Sequence, residues 1–294
     1  MSGLVYLPAL LAALAWGVTF VPLKKTVAPT SLGVVYSMAA GVISYLLIAG
    51  WQFAARGMPE MSFSGPGAVY LFLNGITQFL CASLFYYAAV RHGEISVVAP
   101  MTRLKTVIVI AILVLFRLET VTAFLVLACA AGLAGGYFLA CSPGRRPIIR
   151  GDSRQKGVFY ALGAAFFWGV GEIFTGRALV YYPPLATSFL SVCVGMACYL
   201  AWLAARGRLK ALVSLVPPRD RKLFFCHGVL NYGVGYYFFF IAIAAVGVGR
   251  ASIIVSAWPL ISALLGVVIY REGFHPAKGI GIFLLLASVF LAMV

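Results

Sequence analysis

Apolar residues in this chain run on for about 20 positions at a time, the length a helix needs to cross the hydrocarbon core of a bilayer. Short polar connections separate these runs. The pattern predicts ten spans, near 4–22, 31–53, 67–90, 95–116, 121–141, 158–176, 185–205, 223–246, 251–270 and 275–294. The two longest connections, 142–157 and 206–222, are basic, and none is long enough for a separate soluble catalytic domain. The first run is read as a retained span and not a cleaved signal, since no positive charge precedes it and Lys24 and Lys25 follow it.

The two halves of the pattern resemble each other. Ala12-Ala13-Leu14-Ala15-Trp16-Gly17-Val18 is echoed by Ala164-Ala165-Phe166-Phe167-Trp168-Gly169-Val170, at an offset of 152. Later the offset is 153, with Gly75 falling on Gly228, Gln78 on Asn231, Ala89 on Ala242 and Glu119 on Glu272. Two diverged copies separated by a small gap produce that pattern. The expected division is a first repeat over 1–142, a basic linker over 143–157 and a second repeat over 158–294. Five spans per copy is an odd number, so the second copy enters the membrane inverted. The fold expectation is an all-α polytopic membrane protein of ten transmembrane helices in two inverted five-helix repeats, an architecture that binds substrate at the repeat interface in secondary transporters.

Composition agrees with a membrane chain. Of 294 residues 63% are hydrophobic and 10% charged, whereas soluble domains are about 45–50% apolar and about 25% charged. The net charge of +15 does not signal nucleic acid, because the basic residues sit mostly between apolar runs and not on a soluble face. Sixteen Lys and Arg fall on the side reached after the first span and four on the other, while Arg103 and Lys105 lie inside a span. The positive-inside rule makes the rich side cytoplasmic and puts both termini outside. Five of six cysteines lie within apolar runs and read as small hydrophobes, with no disulfide or metal-ligand spacing.

Taken in order, these features resemble the drug/metabolite transporter superfamily, in its EamA-type branch. The resemblance rests on Ala15-Trp16-Gly17 and Phe167-Trp168-Gly169 in the first span of each half. It also rests on the acidic turns Arg117-Leu118-Glu119 and Tyr270-Arg271-Glu272-Gly273, and on Trp258-Pro259-Leu260. One departure is that Pro100 stands six residues before the position that the repeat offset from Pro259 marks. The resemblance implies a carrier of small metabolites working by alternating access. It also implies both termini in the cytoplasm, against the charge count.

Ionisable groups inside spans cost about 2.5–3.5 kcal/mol each on insertion scales, so they are candidate functional groups. Arg103 and Lys105 stand two apart, about 200° on a regular helix, and share a cavity only if the helix breaks, as Pro100 allows. Arg and Lys there suit a carboxylate or phosphate. Glu172, one turn after Trp168, is read as a proton-coupling carboxylate, as a site for a substrate ammonium group, or as the ion-pair partner of Arg103, Lys105 or Arg177. Gln78 and Asn231 are expected as symmetric amides, and Tyr86, Tyr232, Trp16, Trp168 and Trp258 as cavity walls. Pro100 and Pro259 are the expected hinges, and His227 reads as a packing group.

The functional expectation is a secondary transporter of a small anionic or zwitterionic metabolite, amino acid-like or an organic acid or phosphate. Its partners are the substrate, the lipid bilayer and protons or a counter-substrate; neither a cofactor nor nucleic acid is expected. The alternatives are an exporter of hydrophobic or cationic compounds and a translocase of lipids or lipid headgroups. An enzyme is not expected, because no nucleophile motif or carboxylate cluster is present. Without a targeting extension, the expected location is a bacterial cytoplasmic (inner) membrane.

Overall fold

A computed structural model describes residues 3–19, 30–56, 64–92, 101–140, 152–261, 264–265 and 275–294. Among them ten apolar helices follow one another in the expected order, and there is no strand. The first half holds α1 (Leu7–Val18), entered through a 3-10 turn at Gly3–Tyr6, and α2 (Thr30–Arg56). The third helix, α3, is α-helical over Gly65–Asn74 and Ala82–His92, with a π-helical stretch at Gly75–Cys81 between. Then come α4 (Leu104–Leu115) and α5 (Ala123–Ala140).

The second half repeats the series with α6 (Asp152–Ala178) and α7 (Pro184–Ala205). The helix α8 is again composite, Pro218–Gly228 and Tyr236–Val246 around a π-helical stretch at Val229–Gly235. It is followed by α9 (Val248–Val255) and α10 (Pro276–Met293). Six of these helices are long and apolar enough to span a membrane by themselves, and α1, α4, α5 and α9 are shorter apolar helices. The chain is an integral, all-helical membrane protein.

Helix starts follow local chemistry. Pro8, Pro66, Pro184, Pro218 and Pro276 stand at the first or second helical position, where a missing N–H costs nothing. The Ser64 hydroxyl accepts from the Gly67 amide at 3.3 Å and caps α3. The structure differs from the sequence expectation at the starts of α6 and of α8, which begins at Pro218 and not near 223, and within the connection 206–222. α6 begins at Asp152 and not near 158, because its polar first turns carry the helix beyond the apolar run. The connection 206–222 contains a short helix, Leu209–Ser214. It is held by Tyr36, whose hydroxyl donates to the Leu212 carbonyl at 2.8 Å, and by Arg221, which donates to the Val213 carbonyl at 2.6 Å.

Packing is reciprocal between the halves. α1 packs on α8 and α9, as α6 packs on α3 and α4; α2 meets α8 as α7 meets α3; α5 lies along α10. The repeat is visible at single atoms. A Cβ on Gly17 would meet the Ile261 side chain and the Trp258 carbonyl, and one on Gly169 would meet Ile108 and the Lys105 carbonyl. Ile108 and Ile261, like Lys105 and Trp258, are 153 apart. Likewise Asn74 donates to the Ser191 hydroxyl at 2.9 Å, while His227 Nδ1 lies 3.1 Å from the Ser37 hydroxyl. The interior is filled by Tyr45, Phe79, Phe239, Phe240 and Tyr199, whereas Leu47, Trp51, Phe283 and Phe290 cover the exterior. That inversion of the usual surface suits hydrocarbon as solvent.

Candidate functional site

Between the halves lies a cavity walled by α1, α3, α4, α6, α8 and the segment that continues α9. Trp16, Tyr86, Arg103, Lys105, Trp168, Asn231, Tyr232 and Trp258 all line it. Pro259 is half-buried in the helical segment that resumes after the turn at Ser256 and Ala257, and Pro100 and Tyr270–Gly273 lie outside the described residues. Gln78 is placed elsewhere. It is buried in the π-helical stretch of α3 and accepts from the Thr175 hydroxyl of α6 at 2.9 Å, so the two repeat-related amides do not share the cavity. His227 keeps its packing bond to Ser37 and also lines the cavity.

Both cations reach the wall because the chain is irregular at Arg103. That residue forms a turn between Met101–Thr102 and the start of α4, and Thr106 donates back to its carbonyl at 3.0 Å, tighter than an α-helical bond. Lys105 then turns inward to an ion pair with Glu172, which is fully buried. The second carboxylate oxygen accepts from the Ser252 hydroxyl at 2.5 Å, so α4, α6 and α9 meet at one carboxylate. The Lys105 ammonium also lies 5.3 Å from the Trp16 ring centre and 5.4 Å from that of Phe239. Of the three partners open to Glu172 in the sequence, the structure pairs it with Lys105.

Arg103 is situated differently. It is 3% exposed, its Nη1 donates to the Gly132 carbonyl of α5 at 2.5 Å, and its Nε has no hydrogen-bond partner. No carboxylate pairs with it among the described residues. Gly136 provides the room for its chain, since a Cβ there would meet the Arg103 Cδ at 2.8 Å.

Aromatic rings complete the wall. Tyr86 lies 5.2 Å from Trp168, Trp16 meets Tyr236 edge-on at 4.9 Å, and Tyr232 stacks on Tyr236 at 5.8 Å. The Trp16 indole donates to the Asn231 carbonyl at 3.3 Å, fixing α1 against the π-helical stretch of α8. The Tyr232 hydroxyl is 3.2 Å from that of Ser83, and its carbonyl accepts from Tyr45. Thr19, Ser83, Tyr87, Thr102, Tyr236 and Ser256 also line the cavity. Tyr87 and Tyr236 belong to aromatic runs visible in the sequence, but single hydroxyls in an apolar span carry no signal. Among the described residues no group of His, Cys, Asp and Glu converges as a metal site.

The cavity occupies the half of the bundle nearer the end of α1 and the start of α4. At the opposite end the Glu119 carboxylate accepts from the Val248 amide at 2.6 Å and the Gly249 amide at 3.1 Å. Nearby, the Tyr6 hydroxyl donates to the Met293 carbonyl at 2.9 Å.

With this geometry in place, comparison with known proteins is informative. The model of a family described as the EamA-like transporter family matches residues 3–141 and again 155–294. No curated protein matches the sequence. A solved structure described only as "Crystal structure of protein" superposes with a TM-score of 0.79 at 16% identity, covering 99% of this chain and 97% of that one. At that identity the likeness speaks for the fold alone.

Proposed function

The chain belongs to the EamA-like transporter family, and from that premise we propose that it moves a small anionic or zwitterionic metabolite across the membrane by alternating access. One observation carries the reading: Arg103 is a buried guanidinium at the cavity wall with no carboxylate partner among the described residues. An unpaired buried charge is costly, and a ligand oxyanion would offset that cost. Lys105 is already matched by Glu172, so the cavity retains one excess positive charge while Glu172 is ionised. That balance favours an amino acid-like zwitterion, organic acid or phosphate over an organic cation. The rings of Trp16, Tyr86, Trp168 and Tyr236 supply an apolar wall for the remainder of such a molecule.

Glu172 is the coupling candidate in this scheme. Protonating it releases Lys105 and loosens a joint between α4, α6 and α9, which gives a proton a route into the conformational cycle. The charge count puts the basic connections in the cytoplasm, in a bacterial inner membrane, with the cavity on that side. The test is uptake into proteoliposomes of labelled amino acids, organic acids and phosphate against organic cations and short-chain lipid analogues. Saturable uptake confined to the anionic and zwitterionic set is expected. Uptake confined to cations or lipids overturns the reading. In the fraction that folds, Glu172→Gln should lose dependence on a pH gradient while retaining substrate binding.

A further inference from the structure

We propose that the anionic group of the carried metabolite is held between Arg103 and Ser256, at two helix interruptions related by the internal repeat. The inference rests on the anionic-substrate reading above and goes further, by assigning that group to a pair of residues on opposite halves.

The two positions are counterparts. Ser256 is 153 residues after Arg103, the same offset that links Lys105 to Trp258 and Ile108 to Ile261 in the packing of Gly169 and Gly17. Both interrupt a helix. Arg103 forms the turn before α4, and Ser256 and Ala257 form the turn that ends α9, before Trp258 resumes helical structure. Discontinuous helices at a repeat interface are a recurring way to expose polar groups to a substrate at membrane depth.

Both side chains line the same cavity, and each is buried with an unsatisfied polar atom, Nε of Arg103 and Oγ of Ser256. The two also lie at similar depth. α4 and α9 run in opposite directions, since Gly249 of α9 faces Leu113 of α4 whereas Ser252 meets Lys105 through their common partner Glu172. Arg103 precedes Lys105 and Ser256 follows Ser252 by one turn, so both fall on the same side of the buried ion pair.

An N–H and an O–H that both lack an acceptor match a group with two or more acceptor oxygens, a carboxylate or a phosphate. Lys105 carries less of this assignment, because Glu172 already matches its charge. In this arrangement the ligand bridges the two halves at their equivalent breaks, which couples occupancy to their relative position.

The experiment uses the purified full-length protein in detergent and follows thermal stabilisation by benzoate, phenyl phosphate and benzyltrimethylammonium. The first two separate carboxylate from phosphate preference, and the third is a cation of similar size. Saturable stabilisation by at least one anion and none by the cation is expected. Arg103→Gln should weaken anion binding by about 30-fold, as loss of a charge-assisted hydrogen bond does. Ser256→Ala should weaken it by about fivefold, in the range of a neutral donor. Ser256→Asp supplies the carboxylate that Arg103 lacks and should abolish anion binding in a folded protein. If Arg103→Gln does not fold, the two Ser256 variants decide alone. Anion affinity unchanged within about twofold in both Ser256 variants overturns the paired site but leaves the anionic-substrate reading standing. Stabilisation by the cation alone in the unaltered protein overturns both.

Discussion

Glu119, in the turn after α4, caps the first turn of α9 by accepting the Val248 amide at 2.6 Å and the Gly249 amide at 3.1 Å. A carboxylate at a helix N-terminus satisfies donors that have no intrahelical partner and meets the positive end of the helix dipole. Gly247, at φ +86°, lets the chain turn immediately before this cap, and a Cβ there would touch the carboxylate. Glu119→Gln retains one acceptor oxygen and loses the charge. The expected cost is about 1 kcal/mol, read as a lower thermal midpoint in detergent, and Glu119→Ala should cost more. Equal midpoints for all three proteins would exclude the cap as a tie between the halves.

The Lys105–Glu172 pair should behave as a unit. Removing one member leaves an uncompensated buried charge, which costs about 3–5 kcal/mol. Lys105→Met or Glu172→Leu alone is therefore expected to lower folded yield sharply. The double variant should recover much of the loss, because it removes both charges together. Fluorescence-detected size exclusion of the four proteins measures this. Additive losses would mean that the two side chains are energetically independent.

Gly17 and Gly169 are contact points between a first helix of one repeat and a fourth helix of the other. A Cβ at Gly17 would stand 2.5 Å from the Ile261 Cβ and 3.0 Å from the Trp258 carbonyl oxygen; at Gly169 the nearest atoms are at 2.9 and 3.0 Å. Overpacking of this kind typically costs about 1–3 kcal/mol. Gly17→Val should destabilise more than Gly169→Val, and both more than Gly50→Val, where nothing lies within 4 Å. Thermal midpoints of the three variants give the order directly.

Orientation has a simple reporter. With the basic connections cytoplasmic, the C-terminus at Val294 lies outside. Green fluorescent protein fused there and exported through the general secretory route should be dark, and alkaline phosphatase in its place active. A bright fluorescent fusion with inactive phosphatase reverses the assignment.

Much of the frame was legible in the chain because span length and repeat offset are one-dimensional properties. Ten runs, the Trp16 and Trp168 counterparts and the two buried cations need no third dimension. The sequence leaves the partner of Glu172 open among three cations, since choosing Lys105 depends on how α4 rotates past its turn at Arg103. Ser256 gives no signal, because a serine in an apolar span is ordinary until its hydroxyl is found buried without a partner. Glu119 reads as an acidic turn, but its role depends on amides 129 and 130 residues away. The π-helical stretches left no trace, because seven residues are too few to distinguish their period from that of an α-helix.

Those two stretches, Gly75–Cys81 and Val229–Gly235, give the cavity wall a rotational phase. Each accommodates an i to i+5 bonding pattern, one residue wider than an α-turn, and successive residues of an α-helix are about 100° apart. Removing a single residue within Gly75–Cys81 would return that stretch to α-helical bonding. Ser83, Tyr86 and Tyr87 would keep their place on the cavity wall, because the extra residue is absorbed in the widened turn. The same holds for Tyr236 beyond Val229–Gly235. At these places the protein should tolerate the loss of one residue more readily than elsewhere in the same helices.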